Sequence, residues 1–114
     1  MGSPRRGEVW LAQLSPIVGH EQGGARPVLV VSTDAYNAGP AGLVVVVPIT
    51  SRHKHSIPMH LPVEPPEGGL KRPSVLLCDA VRSVSTGRLQ AAWGRVSEAT
   101  LAAVTDRLAA LLDL

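Results

Sequence analysis

Phenylalanine is absent from this chain, tyrosine occurs once and tryptophan twice, so aromatic residues make up only 3% of its 114 residues. An array of exposed rings, of the kind on which RNA-recognition domains stack successive bases, is therefore not expected. Cysteine is equally scarce: Cys78 stands alone, so no internal disulfide can form. In Val75-Leu76-Leu77-Cys78 it reads as a small buried hydrophobe rather than a nucleophile. No apolar stretch approaches the roughly 20 residues that a membrane span needs, and no signal-like segment opens the chain, so a reducing cytoplasm and no membrane are expected. Strong charge is missing too. Eleven Lys and Arg against nine Asp and Glu leave +2, too little to argue for nucleic acid except through where the charges sit. There is no H-E-x-x-H element, no cysteine pair and no G-x-S-x-G elbow. His20, His53, His55 and His60 therefore lack the companions of a metal site, and neither a metal nor a cofactor is expected.

What is present fits one globular domain. The chain is 45% hydrophobic and 18% charged, and its length suffices to bury roughly two thirds of its unfolded surface. Residues 1–4 read as a remnant of expression or a disordered start, and 5–114 as a single domain. Glu8 to Leu14 alternates like a strand, and Arg26 to Ser32 and Leu43 to Ile49 are β-branched runs too short for helices, covered on both faces. One short helical turn and a loop fill Thr33 to Gly42. Met59 to Val63, Ser74 to Cys78, Ala80 to Val84 and Leu89 to Val96 read as further strands, with turn chemistry from Glu64 to Gly69.

Ser97 opens the strongest helix. It is a good N-cap, Glu98 complements the helix dipole, and Leu101, Val104, Leu108, Leu111 and Leu112 recur at three- and four-residue intervals. Burying those side chains would contribute roughly 8–15 kcal/mol as an upper bound. Short strands followed by a terminal helix predict a mainly β (α+β) fold: a small, strongly curved antiparallel sheet or half-barrel closed by helix packing.

Two polar segments carry the candidate chemistry. The loop Gly19 to Pro27 holds His20, Glu21, Gln22 and Arg26 among three glycines, more functional groups than a plain turn requires. Pro27 biases Arg26 toward extended backbone. The second segment, Thr50 to Ser56, concentrates basic charge in Arg52, His53, Lys54 and His55. If the two Val-rich strands pair antiparallel, Arg26 and Thr50 lie side by side, a cation next to a hydroxyl, which suits an oxyanion such as phosphate. Asp79, after the run ending at Cys78, is either a proton acceptor or the partner of Arg82 or a turn cap. Trp10 is expected in the core.

Arg6-Gly7-Glu8-Val9-Trp10, the loop Gly19-His20-Glu21-Gln22-Gly23-Gly24 leading into Arg26-Pro27-Val28-Leu29-Val30-Val31, and Val47-Pro48-Ile49-Thr50-Ser51 together resemble the MazF/Kid (PemK) family of toxin endoribonucleases. The resemblance implies a small SH3-like barrel of the CcdB/PemK type with a C-terminal helix, a homodimer, and metal-independent cleavage of single-stranded RNA, countered by a MazE-like antitoxin. It implies that Arg26 and Thr50 are the catalytic pair, joined in Kid-type members by His20 and Asp79. The Kid-type arginine two residues before that aspartate is Leu77 here, so Arg26, with help from Arg82, would have to take over its role. Glu21 and Gln22 would orient the loop or read a base edge. Ser51, Arg52, Lys54 and Arg82 complete the expected substrate contacts. Two other readings remain: a gyrase inhibitor resembling CcdB, whose W-G-I tail is not matched by Leu112-Asp113-Leu114, and a non-catalytic binding module on the same fold.

Overall fold

The computed structural model describes residues 2–14, 24–52 and 57–114. The predicted alternation at the start becomes β1 (Glu8–Gln13), and the two Val-rich runs become β2 (Ala25–Val30) and β3 (Leu43–Thr50). A short helix α1 (Asp34–Ala38) lies between them, capped by Thr33. Next come β4 (His60–Val63), β5 (Ser74–Leu77), β6 (Arg82–Ser85), β7 (Leu89–Arg95) and the long helix α2 (Glu98–Leu112). The sixth strand starts later than its hydrophobic pattern suggests, because a single 3-10 turn, Cys78–Ala80, consumes the residues after β5.

All seven strands join one antiparallel sheet in the order β4-β5-β3-β2-β1-β7, with β6 also pairing with β3. The sheet is curved rather than closed, and β4 and β7 are its ends. The first three strands are apolar on both faces, and alternate residues enter different cores. Val9, Leu29, Val47 and Ile49 pack with Leu76, Cys78 and Val104 under α2. Trp10, Ala12, Val28, Val30, Val44 and Val46 fill the other side with Val84. Continuous hydrophobic runs are the sequence pattern that such two-faced burial requires. Trp10 is in the core as expected, its indole Nε1 donating to Glu8 Oε1 at 3.1 Å.

Ser97 caps α2 by accepting from the Thr100 backbone N–H at 3.1 Å, while its own N–H donates to Glu67 Oε2 at 2.9 Å. A capping box would draw that carboxylate from the third helical residue, which here is Thr100, so a distant loop supplies it instead. The apolar stripe of α2 is buried less completely than its spacing suggests. Val104 is fully covered and Leu101 and Leu108 are half-buried, but Leu111 and Leu112, in the last turn, are 40% and 56% exposed. The burial contribution is correspondingly smaller. At the other end of the chain, Pro4 is buried and its carbonyl accepts from Asn37 Nδ2 at 3.0 Å, so the packed structure takes in Pro4.

Candidate active site

β2 and β3 run antiparallel with Val28 opposite Pro48 and Val30 opposite Val46. Continuing that register past Pro27 and Ile49 sets Arg26 opposite Thr50, both on the face of Val28 and Pro48. That extrapolation puts half-buried Arg26 and Thr50, a residue only 6% exposed, at facing positions. Thr50 Oγ1 accepts the Arg52 backbone N–H at 3.1 Å. With an acceptor lone pair so occupied, the hydroxyl hydrogen remains available to donate to an anion.

A cavity of about 470 Å³ opens at this end of the sheet. Arg26, Ser51 and Arg52 form one wall, and Thr50 lies between the lining residues Ile49 and Ser51. Lys71, Arg72 and Trp93 line the cavity as well. Among the described residues no carboxylate lines it, so four cationic side chains surround one concave space. That charge distribution, rather than the net +2, marks an anion-binding surface.

Asp79 and Arg82 are not part of this wall. Asp79 lies in the turn after β5, where His60 Nε2 reaches its Oδ1 at 2.8 Å. Neither the expected pairing with Arg82 nor a turn cap is its principal contact. His60 sits opposite Leu77 and is thereby carried to the turn, whereas Arg82 has already entered β6 opposite Val46. His20, Glu21, Gln22, His53, Lys54 and His55 lie outside the described residues. Among the described residues no three His, Cys, Asp or Glu side chains converge to hold a metal ion. Cys78 is buried, and loss of solvation pushes its thiol up to about 11, which leaves it protonated at neutral pH.

Lys71, Arg72 and Trp93 escaped the sequence reading. Adjacent cations just past Gly68-Gly69-Leu70 are the available signal, but turn chemistry alone accounts for that stretch, and nothing local connects it with Trp93.

Comparison with known proteins places the chain in a class. Residues 5–112 match the PemK-like, MazF-like toxin family of type II toxin–antitoxin systems, and the chain belongs to that family. It is 34% identical to the endoribonuclease MazF of Staphylococcus epidermidis over 96% of this chain and 92% of the relative. The crystal structure of MazF from Deinococcus radiodurans superposes with a TM-score of 0.85 at 34% identity, covering 98% of each chain. A MazE–MazF structure from the same organism superposes at 0.79, again at 34% identity, covering 98% of this chain and 97% of that one. The curved sheet with its C-terminal helix is therefore the MazF fold. Among the described residues no helix is long and apolar enough to cross a membrane.

Proposed function

We propose that this chain is the toxin of a type II toxin–antitoxin pair: a cytoplasmic, homodimeric, metal-independent endoribonuclease that cuts single-stranded RNA at short sequence motifs and is held in check by a MazE-like antitoxin. The observation that carries the reading is the cavity lined by Arg26, Arg52, Lys71 and Arg72 at the end of β3 that bears Thr50. Family membership and the MazF endoribonuclease relatives support it, and the MazE–MazF structure supports the antitoxin.

RNA carries its own nucleophile, which limits what the protein must supply. The 2′-oxygen bonds to phosphorus as its proton leaves, the bond from phosphorus to the 5′-oxygen breaks, and that oxygen takes up a proton. The products are a 2′,3′-cyclic phosphate and a 5′-hydroxyl. Arg26, always protonated, clamps the phosphate and stabilises the charge that grows on its equatorial oxygens. Thr50 donates to one of those oxygens, with its hydroxyl rotor set by the Arg52 N–H. Proton abstraction falls to His20, in the segment leading into Arg26, because Asp79 is engaged by His60 and does not line the cavity. A water ordered by Arg26 protonates the leaving oxygen, and the proton taken up by His20 passes to solvent. Glu21 and Gln22 are assigned to base reading, and Ser51, Arg52 and Lys54 to the backbone of the bound strand, whereas Arg82 lies off the cavity and takes no part.

The decisive experiment incubates the purified protein with a long single-stranded RNA in EDTA, beside Arg26→Ala, and identifies the ends. Discrete cuts bearing cyclic phosphate and 5′-hydroxyl, absent with the folded variant, are expected. Intact RNA from folded wild-type protein would overturn the reading.

A further inference from the structure

The loop that carries Lys71 and Arg72 is fixed from three directions, and its placement has no counterpart in the catalytic pair. Glu67 anchors it to the start of α2 through the Ser97 N–H. Gly68 and Gly69, at φ 66° and 73°, lie against β1 and β7 so closely that an added Cβ would meet Val9 Cγ2 at 2.7 Å and the Trp93 carbonyl oxygen at 2.2 Å. Gly94 meets the same loop from the other side, its virtual Cβ 2.9 Å from Gly68 C. Backbone packed on backbone leaves no room for sliding. Leu70, buried, completes the anchor, and the exposed Lys71 and Arg72 emerge directly after it.

Trp93, on β7 at the same contact, is 37% exposed and lines the cavity with them. In a chain with two tryptophans and no phenylalanine, a ring left half in water at a cationic cavity is not needed for the core. An indole beside ammonium and guanidinium groups matches the two parts of a nucleotide: a flat base to stack and a phosphate to neutralise.

We propose that this cavity is a subsite for a nucleotide flanking the scissile phosphate, with Trp93 stacking its base and Lys71 and Arg72 bracing its phosphate. The subsite rests on the endoribonuclease reading and extends it to residues outside the Arg26–Thr50 pair. Stacking on a single ring tolerates any base, so these residues add affinity without choosing the sequence. A short acidic peptide would satisfy the cations and leave the indole unused, which favours the strand.

The test uses the intact protein and a non-cleavable single-stranded oligonucleotide with 2′-deoxy at the cut position. Trp10 is buried, so quenching of tryptophan fluorescence on binding reports Trp93 and is lost in Trp93→Phe, which still binds. Trp93→Ala is expected to raise the Kd and KM about 5- to 150-fold with kcat within about 3-fold of wild type. Lys71→Ala with Arg72→Ala should flatten the slope of log K against log salt by about 0.7, the counterion term of the one phosphate they brace. Both positions are exposed, and a thermal melt checks the fold. Unchanged affinity and slope in variants of a wild type that does cleave would overturn the subsite alone. Unchanged oligonucleotide binding with weakened binding of polyglutamate would make the cavity a peptide site and overturn it equally. A folded wild type that neither binds nor cuts RNA would remove the function and the subsite together.

Discussion

The imidazole of His60 and the carboxylate of Asp79 lie 2.8 Å apart, tying the first residue of β4 to the turn that follows β5. The ring is largely covered at 12% exposure while the carboxylate is 42% exposed, so His60 fixes Asp79 rather than meeting substrate itself. One oxygen of Asp79 is thereby committed, and the residue does not line the cavity that holds Arg26. Asp79→Asn, which keeps a hydrogen-bonding side chain, is expected to lower kcat less than about 10-fold. His20→Gln should lower it about 100-fold or more, the scale of a lost general base, with KM little changed. Single-turnover cleavage at saturating enzyme separates the two variants, and the reverse order would make Asp79 the proton acceptor.

Thr50 performs two tasks whose loss can be told apart. Its oxygen satisfies the Arg52 N–H, and its hydrogen is the proposed phosphate donor. Thr50→Val keeps the shape, leaves that N–H short of a partner at a cost of about 1 kcal/mol, and removes the donor, with an expected fall in kcat of about 100-fold. Thr50→Ser should restore most of the rate. Urea unfolding and kcat measured together would distinguish them, since a purely structural role would move the melt and leave the serine and valine variants equally active.

How much of this was legible in the sequence depended on distance along the chain. The two-faced strands β2 and β3 announced themselves through Val-Leu-Val-Val and Val-Val-Val-Val, and their antiparallel register needed only that they pair. Ser97 marked its helix by local chemistry. The partner that completes the cap, Glu67, lies thirty residues earlier and has no local signature. The same holds for His60 and Asp79, brought together by β4–β5 pairing, and for Lys71, Arg72 and Trp93, gathered by close backbone packing of Gly68, Gly69 and Gly94. Exposure of Leu111 and Leu112 was invisible because periodicity reports which residues share a face, not whether anything packs on it.

Glu67 links stability to pH. Its carboxyl titrates below its ordinary value of 4.5 because the Thr100 side chain hydrogen-bonds it, against an opposing effect of burial, with the Ser97 backbone N–H and hydroxyl adding to the lowering. A depressed carboxylate contributes stability that is fully present above pH 4.5 and is lost as the pH falls through the folded value. Glu67→Gln is expected to cost about 1 kcal/mol at pH 7, with the gap from wild type narrowing below pH 4.5. Urea titrations at neutral pH and on the acid side of that value provide the comparison. A gap independent of pH would mean that the charge contributes nothing to the cap.

Gly69 and Gly42 separate the two reasons a chain uses glycine. Their backbones are nearly alike, with φ of 73° and 68°, but an added Cβ at Gly42 has nothing within 4 Å, whereas at Gly69 it would lie 2.2 Å from the Trp93 carbonyl oxygen. Gly42→Ala should therefore cost only the left-handed backbone penalty, about 1–2 kcal/mol. Gly69→Ala carries that penalty plus a collision with backbone that cannot swing aside, so an additional loss of at least about 1–2 kcal/mol is expected. Relief of the collision requires the loop bearing Lys71 and Arg72 to move off β7, so the alanine at 69 should also weaken oligonucleotide binding while that at 42 leaves it unchanged. Equilibrium unfolding and binding of both variants provide the check. Equal costs would show that conformation alone demands glycine at 69, and that the close approach of loop and strand yields without penalty.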